Sequence, residues 1–340
     1  MRLWRLHGAP GPDRLRLAEA PAPEPGPRDV LVRIDAVSLN YRDLMVFDDR
    51  YPGGSLPDGL VPCSDGAGEV VAVGAEVDRF AVGELVAGLF MPRWLGGPHE
   101  ERFGRDALGG GRDGVLAELV RFDQEALVAV PGHLDAVEAA TLPCAALTAW
   151  NALFGAGPVT PGEDVLLFGT GGVSLFALAF ARMAGARTIM VTTRPEKRAR
   201  ALALGVDEVI ALPETDDWPQ AVRDLTGGRG VDHAVEVVGG ANVEGSVRAT
   251  RNGGQVHLIG AQQQGRIDPT EVRRRNQILR GVHVGSRSQF QAMNRALSRT
   301  GTRPVIDRVF AFEAAPQAYA HLRSGAHVGK VVIRLGPGAG

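Results

Sequence analysis

From about Thr148 onward, apolar strands alternate with helix-length segments, and few folds accommodate that pattern. The spacing predicts six strands, at Asp164–Gly169, Arg187–Thr192, Glu208–Leu212, His233–Val238, Gln255–Gly260 and Gly281–Ser286. Between them Val173–Ala184, Pro195–Leu204, Asp217–Thr226 and Asn242–Arg251 carry helical periodicity, several closed by glycine. Strands joined this way run parallel and bury both faces, so the expected fold class is α/β, with a doubly wound parallel sheet.

The first part of the chain has another texture. From Val30 to Phe122 the apolar runs are short and interrupted by Gly and Pro, as in Val30–Val37, Glu69–Gly74, Leu85–Phe90 and Val115–Val120, which predicts a mostly antiparallel β region. The last stretch returns to strand, helix and strand at Arg308–Phe312, Ala315–Ser324 and Lys330–Leu335. It is expected to rejoin the first region and make that domain discontinuous. A length of 340 residues suits two domains. A net charge of -2 leaves no basic excess to hold a phosphate backbone or an anionic membrane, so neither nucleic acid nor membrane is expected as a partner. Two cysteines, Cys63 and Cys144, make no disulfide framework, and no apolar leader is visible, so a cytoplasmic protein is expected.

The first strand of the alternating region, Val165–Phe168, runs into Gly169-Thr170-Gly171-Gly172-Val173-Ser174 and then an apolar helix. A buried strand, a glycine turn and a helix start are the context of a Rossmann dinucleotide fingerprint. Gly169 permits the tight turn, Gly171 admits a pyrophosphate close to backbone, and the helix from Gly172 and Val173 turns free N–H groups toward the anion. Ser174 stands where a third glycine is usual; it keeps a small side chain for helix–strand packing, and its hydroxyl is a candidate phosphate contact. At the end of the second strand an NAD site places an acidic residue against the ribose 2′-hydroxyl. Here the chain offers Thr192, Thr193, Arg194 and Lys197, hydroxyls and positive charge suited to a 2′-phosphate, so NADPH is favoured and NADH stays the alternative. Backbone at Val238, Gly239, Ile259, Gly260 and Ala261 closes the fourth and fifth strands at the carboxyl edge, where cofactors lie.

Together these segments resemble the medium-chain dehydrogenase/reductase superfamily, and within it the zinc-free branch around quinone oxidoreductase. The resemblance rests on Asn40-Tyr41-Arg42-Asp43-Leu44, on Pro62 to Val70, on Leu142-Pro143-Cys144-Ala145-Ala146-Leu147-Thr148-Ala149-Trp150 and on His327-Val328-Gly329-Lys330-Val331-Val332. It covers essentially the whole chain. It implies a GroES-like catalytic domain from residues 1–145 and 285–340, a Rossmann NADP(H)-binding domain from residues 146–284, and a homodimer with the sixth strand as a candidate edge. It also adds Asn40, Thr148, Val284, Ser286, Arg287 and Lys330 as residues near the nicotinamide end.

Zinc-dependent relatives carry a G-H-E signature where this chain has Cys63-Ser64-Asp65, so histidine is replaced by Ser64, and only Cys144 stands at a remaining ligand position. One thiol with Asp65 does not make a tetrahedral N/S site, and no zinc is expected. Asp65 is expected to hold the turn before Gly66, and Cys144 to pack as a small apolar residue. Without a metal, charge developing on a hydride acceptor needs hydroxyl, amide or backbone N–H donors. The resemblance directs attention to Asn40, Tyr41 and Tyr51. The expected function is NADPH-dependent hydride transfer to a small activated acceptor, a quinone or an α,β-unsaturated carbonyl. An alcohol dehydrogenase, an enoyl-thioester reductase and a cofactor-binding protein without turnover remain as alternatives.

Overall fold

The computed structural model describes residues 1–11, 13–51, 56–212, 214–215, 217–260 and 264–336. The chain divides into one unit made of residues 1–147 and 284–340 and another made of residues 148–283. In chain order the first unit supplies β1 (Arg2–Leu6), β2 (Leu15–Glu19), β3 (Asp29–Leu39), β4 (Asp65–Val73), β5 (Leu85–Gly88), β6 (Leu119–Asp123) and β7 (Leu127–Ala129). The second supplies β8 (Asp164–Phe168), β9 (Arg187–Thr192), β10 (Glu208–Ala211), β11 (Val231–Glu236), β12 (Thr250–Leu258) and β13 (Ile278–Gly281). The chain then returns to the first unit with β14 (Ile306–Ala311) and β15 (Lys330–Arg334).

In the first unit β1 and β2 form an antiparallel pair, and a larger sheet runs β14-β15-β3-β4-β5-β7, with β6 on β3. Only β14 and β15 pair in parallel; the other contacts of that sheet are antiparallel. The long strand β3 is its spine, and Val30, Val32, Ile34, Val37 and Leu39 enter the core. Strand β4 can lie against it because residue 68 is glycine: a Cβ there would stand 1.9 Å from the Arg33 carbonyl oxygen. The register sets Val331 of β15 against Leu39 of β3, and Ser38 of β3 against Asp65 of β4. Three strand ends therefore bring Lys330, Asn40 and Asp65 to one edge of the sheet.

The second unit is the doubly wound sheet, ordered β10-β9-β8-β11-β12-β13 with every neighbour parallel. β8 and β11 are buried along their whole length, as strands covered on both faces must be. The order of the strands reverses between β8 and β11. Among the described residues no helix is long and apolar enough to cross a membrane.

Two strands lie largely outside their expected spans. The sixth strand of the parallel sheet is Ile278–Gly281, not Gly281–Ser286. Val284 adopts φ +50, left-handed backbone that breaks an extended run, and Ser286 caps the helix Arg287–Thr300 through the Gln289 N–H. Strand β6 is Leu119–Asp123, displaced from Val115–Val120, because the Leu116 carbonyl and the Glu118 N–H are taken up by β1.

A buried histidine pair lies inside the parallel sheet. His233 Nδ1 is 3.1 Å from His257 Nε2, the rings are stacked, and His233 Nε2 is 3.3 Å from Glu163 Oε2. Burial lowers the pKa of both, that of His257 to about 3; Glu163 and Asp232 oppose the shift on His233, while Arg251 adds to it and Arg280 adds to that of His257. A histidine whose folded pKa is depressed binds its proton more readily in the unfolded chain, so stability is full above the unfolded value, near 6.5, and falls with pH toward the folded value near 3. Urea unfolding of the wild type should therefore show stability dropping from pH 7 to pH 5. His257→Leu should flatten that slope, and parallel slopes for the two proteins would remove this pair as the cause.

Candidate active site

In the first unit the strand edge and the helix Tyr41–Phe47 enclose a set of buried ionisable groups. The Asn40 N–H at the head of this helix donates to Asp43 Oδ2 at 2.8 Å. Lys330 Nζ, 4% exposed, donates to the Leu39 carbonyl at 2.6 Å and to Asn40 Oδ1 at 2.5 Å. That bond sets the Asn40 amide, with its oxygen toward the ammonium and its NH₂ turned away. Asp65 is fully buried and accepts from Ser64 Oγ at 2.6 Å and from the Cys144 N–H at 3.0 Å. Asp65 is the first residue of β4, so it ties the strand to the π-helical turn Leu142–Ala146; the expectation that it holds the turn before Gly66 is corrected.

The charges in this set oppose their burial. Desolvation raises the Asp65 pKa, countered by Lys330, Ser64, Asn40 and the Cys144 amide. Desolvation likewise pushes Asp43 up to about 6, against the pull of Arg42 and the Asn40 N–H, and lowers Lys330, whose charge Asp65 and Asp43 support. Burial and then Asp65 raise the Cys144 pKa, so its thiol stays protonated. Arg42 donates to the Leu108 carbonyl at 2.8 Å and lies 4.6 Å from the Tyr51 ring and 5.0 Å from the Phe90 ring. Tyr51 is half-buried beside this guanidinium, whereas Tyr41 is 41% exposed and faces Arg50. The three side chains singled out from the sequence thus have different settings: Asn40 is locked by Lys330, Tyr51 packs on Arg42, and Tyr41 stands at the surface.

These residues do not fit a catalytic zinc ion. Ser64 gives its proton to Asp65, both Asp65 oxygens are engaged, and Cys63 Sγ is 3.3 Å from the Tyr319 hydroxyl. Lys330 already supplies a cation to these acids. Among the described residues no three His, Cys, Asp or Glu side chains form a group that could hold a metal. Val284 and Ser286 also belong to the first unit, Val284 buried in its left-handed conformation and Ser286 engaged as a helix cap. Arg287 is ion-paired with Glu125, which gives its charge a local partner.

In the second unit the turn after β8 has the form of an anion site. Gly169 has φ +65, and a Cβ at Gly169 or Gly171 would meet nothing within 4 Å. Gly171 heads the helix Gly172–Met183 with no side-chain cap, so the N–H groups of its first turn, at Gly172 and Val173, are candidates for a ligand. Between the glycines Thr170 is 3% exposed, and its Oγ1 has no hydrogen-bond partner among the described residues. These features fit a pyrophosphate. Ser174 is corrected as a phosphate contact: it is 1% exposed and donates to the Phe168 carbonyl at 2.7 Å, which joins helix to strand and occupies its proton.

At the end of β9, Thr192 is buried and its Oγ1 accepts the Arg194 N–H at 3.1 Å, which turns the chain outward. Thr193 and Arg194 are exposed and Lys197 half-buried, with Glu196 3.6 Å from the Arg194 guanidinium. Thr148 is buried at the start of the second unit. Val238, Gly239, Ile259 and Gly260 follow β11 and β12, and all four amides bond to Glu236, a residue the sequence reading passed over. Ala261 lies outside the described residues.

Comparisons with known proteins bear on both units. Residues 26–132 match the family described as alcohol dehydrogenase GroES-like domain, and residues 172–299 the family described as zinc-binding dehydrogenase. A zinc-type alcohol dehydrogenase-like protein of Schizosaccharomyces pombe is 38% identical over 336 residues, 96% of each chain. The acryloyl-coenzyme A reductase of Sulfurisphaera tokodaii is 28% identical over 344 residues, 96% of this chain and 98% of that one. The crystal structure of an NAD-dependent alcohol dehydrogenase superposes with a TM-score of 0.88 at 35% identity, covering 99% of this chain and 100% of the other.

The buried edge of the first unit predicts a cost for removing its cation. Lys330→Met leaves the Leu39 carbonyl and Asn40 Oδ1 without their donor and Asp65 without its counter-charge, so unfolding free energy should fall by about 1–3 kcal/mol. A lower urea midpoint at constant slope would register this. An unchanged midpoint would show that the ammonium is not what holds the edge.

Proposed function

We propose that this chain, which belongs to the medium-chain dehydrogenase/reductase superfamily and is an NAD(P)H-dependent oxidoreductase, is a zinc-independent, NADPH-preferring reductase of small activated acceptors. The acceptor class is a quinone or an α,β-unsaturated carbonyl. The observation that carries the reading is the first-unit edge at Asn40, Asp65 and Lys330. A lysine ammonium and two hydrogen-bonded carboxylates stand there, and among the described residues no His, Cys, Asp or Glu group that could hold a metal does.

The chemistry follows from what such an edge can do. Bound NADPH supplies a hydride. A conjugated acceptor spreads the negative charge it gains, so modest donors suffice where an isolated carbonyl would need a Lewis acid. Asn40 has an NH₂ oriented by Lys330, which holds its oxygen; one N–H supports the Asp65 carboxylate and the other is the candidate donor. Tyr51 is the second candidate donor, and Tyr41, more exposed, the weaker one. The likeness to an acryloyl-coenzyme A reductase supports an activated double bond as acceptor. In the second unit Gly169, Gly171, Gly172 and Val173 would receive the pyrophosphate, and Thr192 to Lys197 would lie by the ribose phosphate of the adenosine half. In the same unit Val238, Gly239, Ile259, Gly260, Ala261 and Thr148 stay assigned to the nicotinamide end. A homodimer paired through the exposed edge strand β13 belongs to the same reading.

Three measurements test it. Titration should show NADPH binding more tightly than NADH. Arg194→Ala should weaken NADPH by about tenfold or more with little change for NADH, since a charged hydrogen bond to phosphate is at stake. Equal affinities in the wild type would end the NADPH preference. Purified protein should carry far less than one zinc per chain by metal analysis, and chelation should leave turnover unchanged; about one zinc per chain would end the metal-free reading. Tyr51→Phe should slow reduction of enone or quinone substrates, and unaltered turnover would remove Tyr51 from the donors.

A further inference from the structure

We propose that Glu236 is a positioning residue that shapes the backbone receiving the nicotinamide half of the dinucleotide. The inference deepens the reading of the second unit as a nucleotide site and rests on it. Glu236 ends β11 and is fully buried. One carboxylate oxygen accepts the Val238 N–H at 2.6 Å and the Gly239 N–H at 2.8 Å; the other accepts from Asn242 Nδ2 and from Ser246 Oγ, the latter at 2.8 Å. Its main-chain carbonyl accepts the N–H groups of Ile259 and Gly260, both at 2.9 Å. One residue thus organises the loops that follow two adjacent strands.

A buried carboxylate persists only where donors replace its water, and four do so here. Their arrangement has a directional consequence. With the Val238 and Gly239 amide protons drawn inward, and the Gly239 carbonyl taken by the Asn242 N–H, the Val238 carbonyl, which accepts no hydrogen bond from the described residues, is an acceptor this turn can offer a ligand. A carbonyl recognises a donor such as a carboxamide NH₂. The loops are also in backbone contact: a Cβ at Gly260 would lie 2.4 Å from the Val237 carbonyl carbon, and one at Gly265 2.2 Å from the Gly240 oxygen. Gly239 and Gly240 make the turn with φ +82 and +60.

The sheet order places this loop on a particular half of a dinucleotide. Strand order reverses between β8 and β11, and a dinucleotide lies across that point at the carboxyl ends. The glycine turn follows β8 and the candidate 2′-phosphate residues follow β9, so the adenosine half belongs on that side. The loops after β11 and β12 receive the other half, and Glu236 acts on it alone.

The test separates the halves. Dissociation constants of NADPH and of adenosine 2′,5′-bisphosphate are measured by titration for wild type, Glu236→Leu and Glu236→Gln, with folding checked by circular dichroism. Glu236→Leu should weaken NADPH by about tenfold or more and leave the bisphosphate within about twofold, because only the nicotinamide side loses its shape. Glu236→Gln keeps a carbonyl acceptor for both amides and should hold NADPH within about threefold of wild type. A folded Glu236→Leu that binds NADPH as wild type does, or that loses both ligands equally, overturns the proposal while the nucleotide site stands. Should Glu236→Leu not fold, Asn242→Ala/Ser246→Ala, which strips one carboxylate oxygen of its donors, carries the test: a selective NADPH loss of about threefold supports it, and none overturns it. A wild type that binds neither ligand refutes the nucleotide reading and the proposal together.

Discussion

A parallel sheet buried on both faces has a problem at its carboxyl edge: the backbone that leaves each strand has no further strand to satisfy it, and water cannot reach all of it. The second unit meets this in two ways. After β8 a glycine turn opens the backbone and leaves N–H groups and a buried threonine hydroxyl for a ligand. After β11 a glutamate carboxylate turns back and collects the loop amides. One edge therefore presents donors at one strand and spends them internally at the neighbouring one. That asymmetry suits a ligand with a diphosphate in the middle and a chemically different group at each end.

The first unit uses the same device at another place. Asp65, buried at the start of β4, holds the π-helical turn through the Cys144 amide, and Lys330 crosses from β15 to the end of β3. The register of three strands brings these residues together, and their charges partly cancel. This edge has one lysine among acids and hydrogen-bonded side chains. A buried ammonium among carboxylates is stable only while its hydrogen bonds are made.

The alternation of strands and helices was legible in the sequence because several strands of the parallel sheet carry a short apolar core, as in Val165–Phe168 and Ile189–Val191, spaced by helix-length segments. The same logic misplaced the sixth strand: Val282 and Val284 look like strand residues, yet Val284 sits at positive φ, which composition does not announce. The helix Arg287–Thr300 carried a readable signal, Ser286 followed three residues later by Gln289, that went unused. Among site residues, the glycine turn was readable because its chemistry is local. Tyr41 and Tyr51 were not distinguishable, since only packing decides that one faces solvent and the other a guanidinium. Ser174 looked able to reach a phosphate until the Phe168 carbonyl claimed its proton.

The amino-acid order by itself determined the α/β architecture, the place of the glycine turn and the lack of an acidic residue directly after β9, and the family resemblance added Ser64 where zinc-dependent relatives carry histidine. Each of these depends on neighbours within a few residues or on residue identity at one position. The roles of Glu236, Asp65 and Lys330 were decided only by the tertiary structure. An isolated Glu, Asp or Lys in a sequence reads as a solvated charge. It becomes an organising group when strands far apart in the chain close around it and remove water, so that its bonds to backbone outweigh the desolvation it suffers.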